Sequence, residues 1–132
     1  MIPMPTILLI EDDDLVRKAI ATMLAGRGYT VTEATDGDMG IRLFRTQPTD
    51  LVITDLVMPN KEGMETIMEL RRDYPGLGII AMTGHAEGIA PVYLKIAGAL
   101  GANCTLRKPF DLPTLLAAVK KVLIETGKLQ PV

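Results

Sequence analysis

The sequence contains no serine and no tryptophan, and it has one histidine, one cysteine, three tyrosines and two phenylalanines among 132 residues. Without serine there is no Ser-His-Asp triad, and one histidine with one cysteine cannot build a usual zinc site. A lone cysteine makes no internal disulfide, so a reducing compartment fits and a cytoplasmic location is expected. Excess charge is missing too. Fourteen Lys+Arg against 16 Asp+Glu leave a formal net charge of -2, which offers no electrostatic footprint for nucleic acid. No apolar run approaches a bilayer span, so no membrane partner is expected. Met1-Ile2-Pro3-Met4-Pro5 lacks the basic and long apolar regions of a signal peptide. What remains is 48% hydrophobic and 23% charged, in a length that suits one domain with a real core.

Short apolar runs recur at Ile7-Leu8-Leu9-Ile10, Leu51-Val52-Ile53 and Ile79-Ile80-Ala81-Met82. Each is too short for a helix and ends in polar or Gly-containing sequence, as strands buried on both faces do. Tyr29-Thr30-Val31-Thr32-Glu33 alternates, which predicts a half-exposed edge strand; Asn103-Cys104-Thr105-Leu106-Arg107 is a weaker strand signal.

Helical spacing fills the gaps. Leu15, Ala19, Ile20, Met23 and Leu24 predict one apolar face, with Gly26 and Gly28 as stops. Ile41 and Phe44 mark a second helix, opened by Asp36 or Asp38. Met64, Ile67, Met68 and Arg71 mark a third, closed by Tyr74-Pro75-Gly76. Val92, Ile96, Ala99 and Leu100 mark a fourth, with Pro91 suited to its first turn. Leu115, Leu116, Val119, Val122 and Leu123 mark a fifth, capped by Asp111 and ended by Gly127. Strand and helix therefore alternate five times, which predicts an α/β fold with a five-stranded, doubly wound parallel sheet. In such sheets ligands bind beyond the carboxyl ends of the strands.

Those ends carry chemistry. The first strand ends in Glu11-Asp12-Asp13-Asp14, the third in Thr54-Asp55, the fourth in Thr83-Gly84 and the fifth in Arg107-Lys108-Pro109. If the first and third strands are neighbours, Glu11, Asp12 and Asp55 converge, and bare carboxylates that close repel one another. A hard divalent cation relieves this, and few carboxylates with room for water suit Mg²⁺. Capping of the first helix explains one of the acids, most simply Asp13, but not Asp55 or Lys108 on other strands.

Four segments now resemble a response regulator receiver domain of two-component signalling, similar to the single-domain chemotaxis type. They are Ile7-Leu8-Leu9-Ile10-Glu11-Asp12-Asp13, Asp50-Leu51-Val52-Ile53-Thr54-Asp55-Leu56-Val57-Met58-Pro59, Ala81-Met82-Thr83-Gly84 and Lys108-Pro109-Phe110. The resemblance spans roughly residues 6 to 125. It implies a flavodoxin-like (βα)5 fold with strand order 2-1-3-4-5, an N-terminal extension over 1-5, the receiver domain over 6-125, and a tail or the start of a linker over 126-132. It implies that Asp55 takes a phosphoryl group from a histidine kinase or phosphotransfer protein, as a signalling switch rather than an enzyme turning over a substrate. Asp12 and Asp55 would bind Mg²⁺ directly, Glu11 through water, and the Val57 backbone carbonyl would add an oxygen. Thr83 would hydrogen-bond the phosphoryl group, Lys108 would supply positive charge, and the Lys108-Pro109 bond would be cis. Output is expected through a downstream protein target or a missing effector domain, from a face on the fourth helix, fifth strand and fifth helix; a homodimer through that face stays open.

One departure matters. The family usually places Tyr or Phe three residues before the lysine, and here that position is Thr105, beside Cys104, which reads as a buried small apolar residue. Signalling is then expected to rest on Thr83 and the mobile loop 84–90, with reordering of the fourth helix. His85 in that loop reads first as a partly exposed loop histidine, and second as a group that influences access of hydrolytic water. A flavin carrier would need a phosphate-binding loop where four acids stand. A haloacid-dehalogenase-type phosphatase would need a second Asp two residues after Asp55, where Val57 stands. An interaction module that no longer phosphorylates is the remaining alternative.

Overall fold

The computed structural model describes residues 4–56, 63–84 and 90–131. Strands and helices alternate as β1 (Thr6–Ile10), α1 (Asp14–Ala25), β2 (Thr30–Ala34), α2 (Gly37–Thr46), β3 (Leu51–Asp55), α3 (Gly63–Asp73), β4 (Gly78–Thr83), α4 (Ala90–Leu100), β5 (Cys104–Arg107) and α5 (Leu112–Glu125). All four strand pairings are parallel, and the sheet order is β2-β1-β3-β4-β5, the predicted one. Among the described residues no helix is long and apolar enough to cross a membrane.

Strand side chains alternate between faces, so each central strand feeds two cores. Ile7, Leu9, Leu51, Ile53, Ile80 and Met82 pack with α1 and α5 on one face. Leu8, Ile10, Val52, Ile79 and Ala81 pack with α2, α3 and α4 on the other. This double burial is why the strands read as unbroken apolar runs. Each fully buried Leu or Ile contributes about 1.5–3 kcal/mol. Edge strand β2 shows exposed and half-buried residues in turn. Cys104, at the opposite edge, is half-buried against the α1–α5 core rather than fully enclosed.

Acidic caps begin the helices where expected. Asp13 accepts a hydrogen bond from the Val16 amide at 3.0 Å, Asp36 from Met39 at 2.8 Å and Asp111 from Thr114 at 2.8 Å, each satisfying an amide that has no partner within its helix. After α1 the left-handed turn falls on Gly28, φ 93°, where a side chain would be strained.

Some predicted faces shift. Leu15 is 83% exposed, and the buried positions of α1 are Arg17, Ile20, Ala21 and Leu24. Nine residues separate Leu15 from Leu24, which at about 100° per residue places them on opposite sides of the helix. Met68 on α3 is also exposed, while Thr66, Ile67 and Leu70 are buried. On α4, Val92 and Ile96 stand 55% and 43% exposed, whereas Ala97 is buried. Past α5, the Lys128 and Leu129 amides donate back to the Leu123 carbonyl, and Leu129 packs against the α1–α5 core.

Candidate functional site

Parallel pairing brings the carboxyl ends of β1, β3, β4 and β5 to one edge. Ile10 lies beside Thr54, Asp55 beside Met82, and Thr83 beside Arg107. The residues in these pairs and just beyond them include the ones singled out from the sequence. Glu11 follows β1 and is fully buried, its amide donating to the Ala34 carbonyl at 3.0 Å. Asp12 is exposed. Asp55 closes β3 and is 6% exposed; Thr83 closes β4 and is buried. Carboxylate oxygens of Glu11, Asp12 and Asp55 lie within 4.8 Å of one another.

Lys108 reaches into this cluster from the end of β5. Its Nζ donates to Glu11 Oε1 and, at 3.4 Å, to Asp55 Oδ2. Its own amide donates to the Thr83 carbonyl at 2.8 Å, and the Lys108-Pro109 bond is cis. Burial by itself lowers the Lys108 pKa, but the hydrogen bond to Glu11 and the charges of Asp55 and Glu11 outweigh it and raise the value. The ammonium therefore stays charged throughout the physiological range. Desolvation, then a hydrogen bond with Glu11 and the Glu11 charge, raises the Asp12 pKa. Three acids with one ammonium leave excess negative charge, which a hard cation would neutralise.

The setting of Asp55 also depends on the Leu56 amide, on Gly63 and, through Glu11, on Arg17. Asp55 Oδ1 accepts from the Leu56 amide at 2.8 Å, and the Leu56 carbonyl accepts from the Gly63 amide at 3.1 Å. A Cβ on Gly63 would lie 2.0 Å from the Asp55 carbonyl oxygen, so the start of α3 can lie against β3 only as glycine. Arg17, 7% exposed, donates to the Glu11 carbonyl at 3.0 Å. Its sequence signal was available: a charge three residues before Ile20 and seven before Leu24 falls on the inward face. Asp13 is a cap, as expected. Thr105 is half-buried. Val57, called as a carbonyl ligand, and His85 lie outside the described residues.

Beside Lys108, a groove of about 400 Å³ opens between α1 and the segment that joins β5 to α5. Val16, Ile20, Met23, Lys108, Pro109 and Phe110 are among the residues that line it. It is mainly apolar, and it shares Lys108 with the acid cluster.

Three comparisons bear on this arrangement. The pattern of the response regulator receiver domain matches residues 7–120. The chain is 36% identical over 120 residues to the sensor kinase CckA of Brucella abortus, covering 89% of this chain and 12% of that protein. It is 35% identical over 120 residues to the transcriptional regulatory protein AfsQ1 of Streptomyces coelicolor, covering 91% of this chain and 52% of that one. The chain thus spans about half or less of these relatives. Among solved structures, a CheY-like receiver domain protein from Methanospirillum hungatei superposes with a TM-score of 0.85 at 26% identity, over 95% of this chain and 98% of the other.

Proposed function

This chain belongs to the response regulator receiver family, and on that premise we propose that Asp55 accepts a phosphoryl group from the phosphohistidine of a histidine kinase or phosphotransfer protein. The observation that carries the reading is the meeting of Asp55, Glu11, Asp12 and Lys108 at one sheet edge, with carboxylate oxygens within 4.8 Å and the ammonium on two of the acids.

In the transfer, a carboxylate oxygen of Asp55 attacks phosphorus, a P–O bond forms, the P–N bond to the imidazole breaks, and the imidazole nitrogen keeps the electron pair. Phosphoryl transfer asks the protein mainly for positioning and charge neutralisation. Lys108 faces the developing charge on the phosphoryl oxygens, and the Thr83 hydroxyl donates a hydrogen bond to one of them. The Leu56 amide holds Asp55 Oδ1, which leaves Oδ2 on the side of Lys108. The donor set fits Mg²⁺: Glu11, Asp12 and Asp55 would hold it, together with the Val57 carbonyl, and it would supply the remaining positive charge for the phosphoryl oxygens. The groove along α1 gives the kinase an apolar surface next to the acceptor.

The acyl phosphate is then the signal. Recruitment of Thr83 and Lys108 shifts the segment from 84 to 90 and α4, and partner binding changes at the α4–β5–α5 face. Exposed Val92 and Ile96 on α4 give that face apolar contact area. Thr105 lacks the ring of the usual coupled switch, so the shift runs through Thr83. The partner is a downstream protein, an effector domain or a second copy, and sedimentation of the phosphorylated chain separates the last from the others. The receiver unit occupies residues 6–125, acts in the cytoplasm, and is a switch that promotes its own phosphorylation and dephosphorylation.

The test is acetyl phosphate with Mg²⁺, followed by intact mass on the wild type and Asp55→Asn. One alkali-labile phosphoryl adduct, absent from the variant, supports the reading. Continued turnover of a small phosphoester would point to a phosphatase, and absence of any adduct with acetyl phosphate or a kinase to an interaction module.

A further inference from the structure

We propose that Arg17 is the positioning residue for the acidic end of β1, holding the peptide plane between Glu11 and Asp12 in the orientation that binds the cation. The inference rests on the reading of the site given above.

Arg17 is on α1, outside the cluster of acids, yet its side chain is almost fully buried. Its guanidinium uses each of its three nitrogens on a different residue. Nη1 donates to the Glu11 carbonyl at 3.0 Å, Nε to Glu33 of β2 at 3.1 Å, and Nη2 to Asp14 at the start of α1 at 2.6 Å. The Glu11 carbonyl belongs to the peptide that joins Glu11 to Asp12. Fixing that oxygen fixes the rotation of the plane, and with it the directions in which both side chains leave the backbone. The remaining contacts of Glu11 point the same way: its amide is tied to Ala34, Oε2 accepts from the Asp13 amide at 3.2 Å, and Oε1 meets Lys108.

Two alternatives predict different behaviour. Arg17 could act on the acids as a positive charge, but that charge is already met by Asp14 and Glu33 at hydrogen-bond distance. It could serve stability alone, but a buried ion pair is weak evidence for that, since apolar side chains of similar size often replace one without loss. The rigid planar fork, which reaches three acceptors at once, is what only arginine supplies.

The experiment compares wild type, Arg17→Met, Arg17→Lys and Glu33→Gln. Mg²⁺ binding is measured by calorimetry, and the rate of adduct formation with acetyl phosphate is followed against Mg²⁺ concentration. Partners that orient metal ligands are typically worth about 10–100-fold in affinity. Arg17 acts through the backbone, so Arg17→Met is expected at the low end, about tenfold weaker. The Mg²⁺ concentration for half-maximal rate should rise by the same factor, with little change in the rate at saturation. In metal-free protein the Asp12 and Asp13 amides should exchange faster. Arg17→Lys, which keeps the charge without the fork, should not restore affinity, and Glu33→Gln should weaken it by less.

Tighter Mg²⁺ binding in Arg17→Met would show an electrostatic role, and a lower Tm with unchanged affinity a structural one; either result overturns the proposal. If Arg17→Met fails to fold, Arg17→Lys and Glu33→Gln decide by the same criteria. A wild type that neither binds Mg²⁺ nor forms an adduct would overturn the parent reading. A wild type that does both, matched by its variants, would overturn only the role given to Arg17.

Discussion

Replacing Asp55 by Asn is expected to stabilise the metal-free protein. Oxygens of Glu11, Asp12 and Asp55 lie within 4.8 Å of one another. Two unit charges at that separation repel by about 3.5 kcal/mol at an effective dielectric constant of about 20. Glu11 is buried, so its repulsion of Asp55 stands at that size; Asp12 is exposed, and solvent screening reduces its share to about half. Lys108 Nζ lies 3.4 Å from Asp55 Oδ2, an attraction of about 5 kcal/mol at the same dielectric. Repulsion and attraction nearly cancel, so solvation decides. Asp55 is 6% exposed, and holding an ionised carboxylate out of water costs several kcal/mol where an amide costs far less. Asn keeps an oxygen for the Leu56 amide but accepts more weakly than a charged group, which returns about 1 kcal/mol. The net expectation is a gain of about 1–2 kcal/mol, or a rise in Tm of about 3–8 °C.

Urea unfolding followed by far-UV circular dichroism, in EDTA and again in excess Mg²⁺, measures it. In Mg²⁺ the wild type gains about 2.7 kcal/mol at a hundredfold excess over Kd, the variant gains less, and the gap closes or inverts. An Asn variant less stable than the wild type in EDTA would refute the account of the site as an overcharged, partly unsolvated cluster.

Further expectations follow from other contacts. Gly63→Ala should cost about 1–3 kcal/mol in denaturant unfolding, despite a gain of about 1 kcal/mol in helix propensity, because the new Cβ meets backbone at 2.0 Å; wild-type stability in this variant would show that α3 can lift away freely. Asn103→Ala should cost about 1–2 kcal/mol, since Asn103 Oδ1 accepts both the Ile79 amide and Arg71 Nη2 at 2.8 Å, and the melting curve should move down accordingly. Hydrogen bonds from Arg72 and Arg45 hold the Asp73 carboxyl well below the usual carboxylate range. Its folded pKa lies under its unfolded value, so the stabilising effect is complete above the unfolded value and is lost only as pH falls through the folded one. Carboxyl ¹³C titration should therefore show Asp73 ionised where ordinary aspartates have protonated, and Arg45→Gln should move its midpoint upward; an unmoved midpoint would leave Arg45 without effect on it.

The sequence alone determined the elements, their order and most of the residues at the sheet edge. Central parallel strands are buried on both faces, so Ile7–Ile10 and Ile79–Met82 announce themselves as continuous apolar runs, and Asp13, Asp36 and Asp111 mark helix starts through chemistry local to one turn. Glu11, Asp12, Asp55, Thr83 and Lys108 could be placed at strand ends because the alternation of strand and helix sends every parallel strand to the same edge. Tertiary structure decided what local pattern cannot express. Leu15, Met68, Val92 and Ile96 are apolar yet exposed, because hydrophobicity does not say which side of a helix meets the sheet. Arg17 turns inward because three acceptors, from the residue after β1, from β2 and from α1, converge on it. Gly63 is required only because folding lays α3 against the end of β3, and Lys108 meets Glu11 across 97 positions of sequence. Such contacts depend on distances between elements, which the packing of two cores on one twisted sheet sets and no single segment contains.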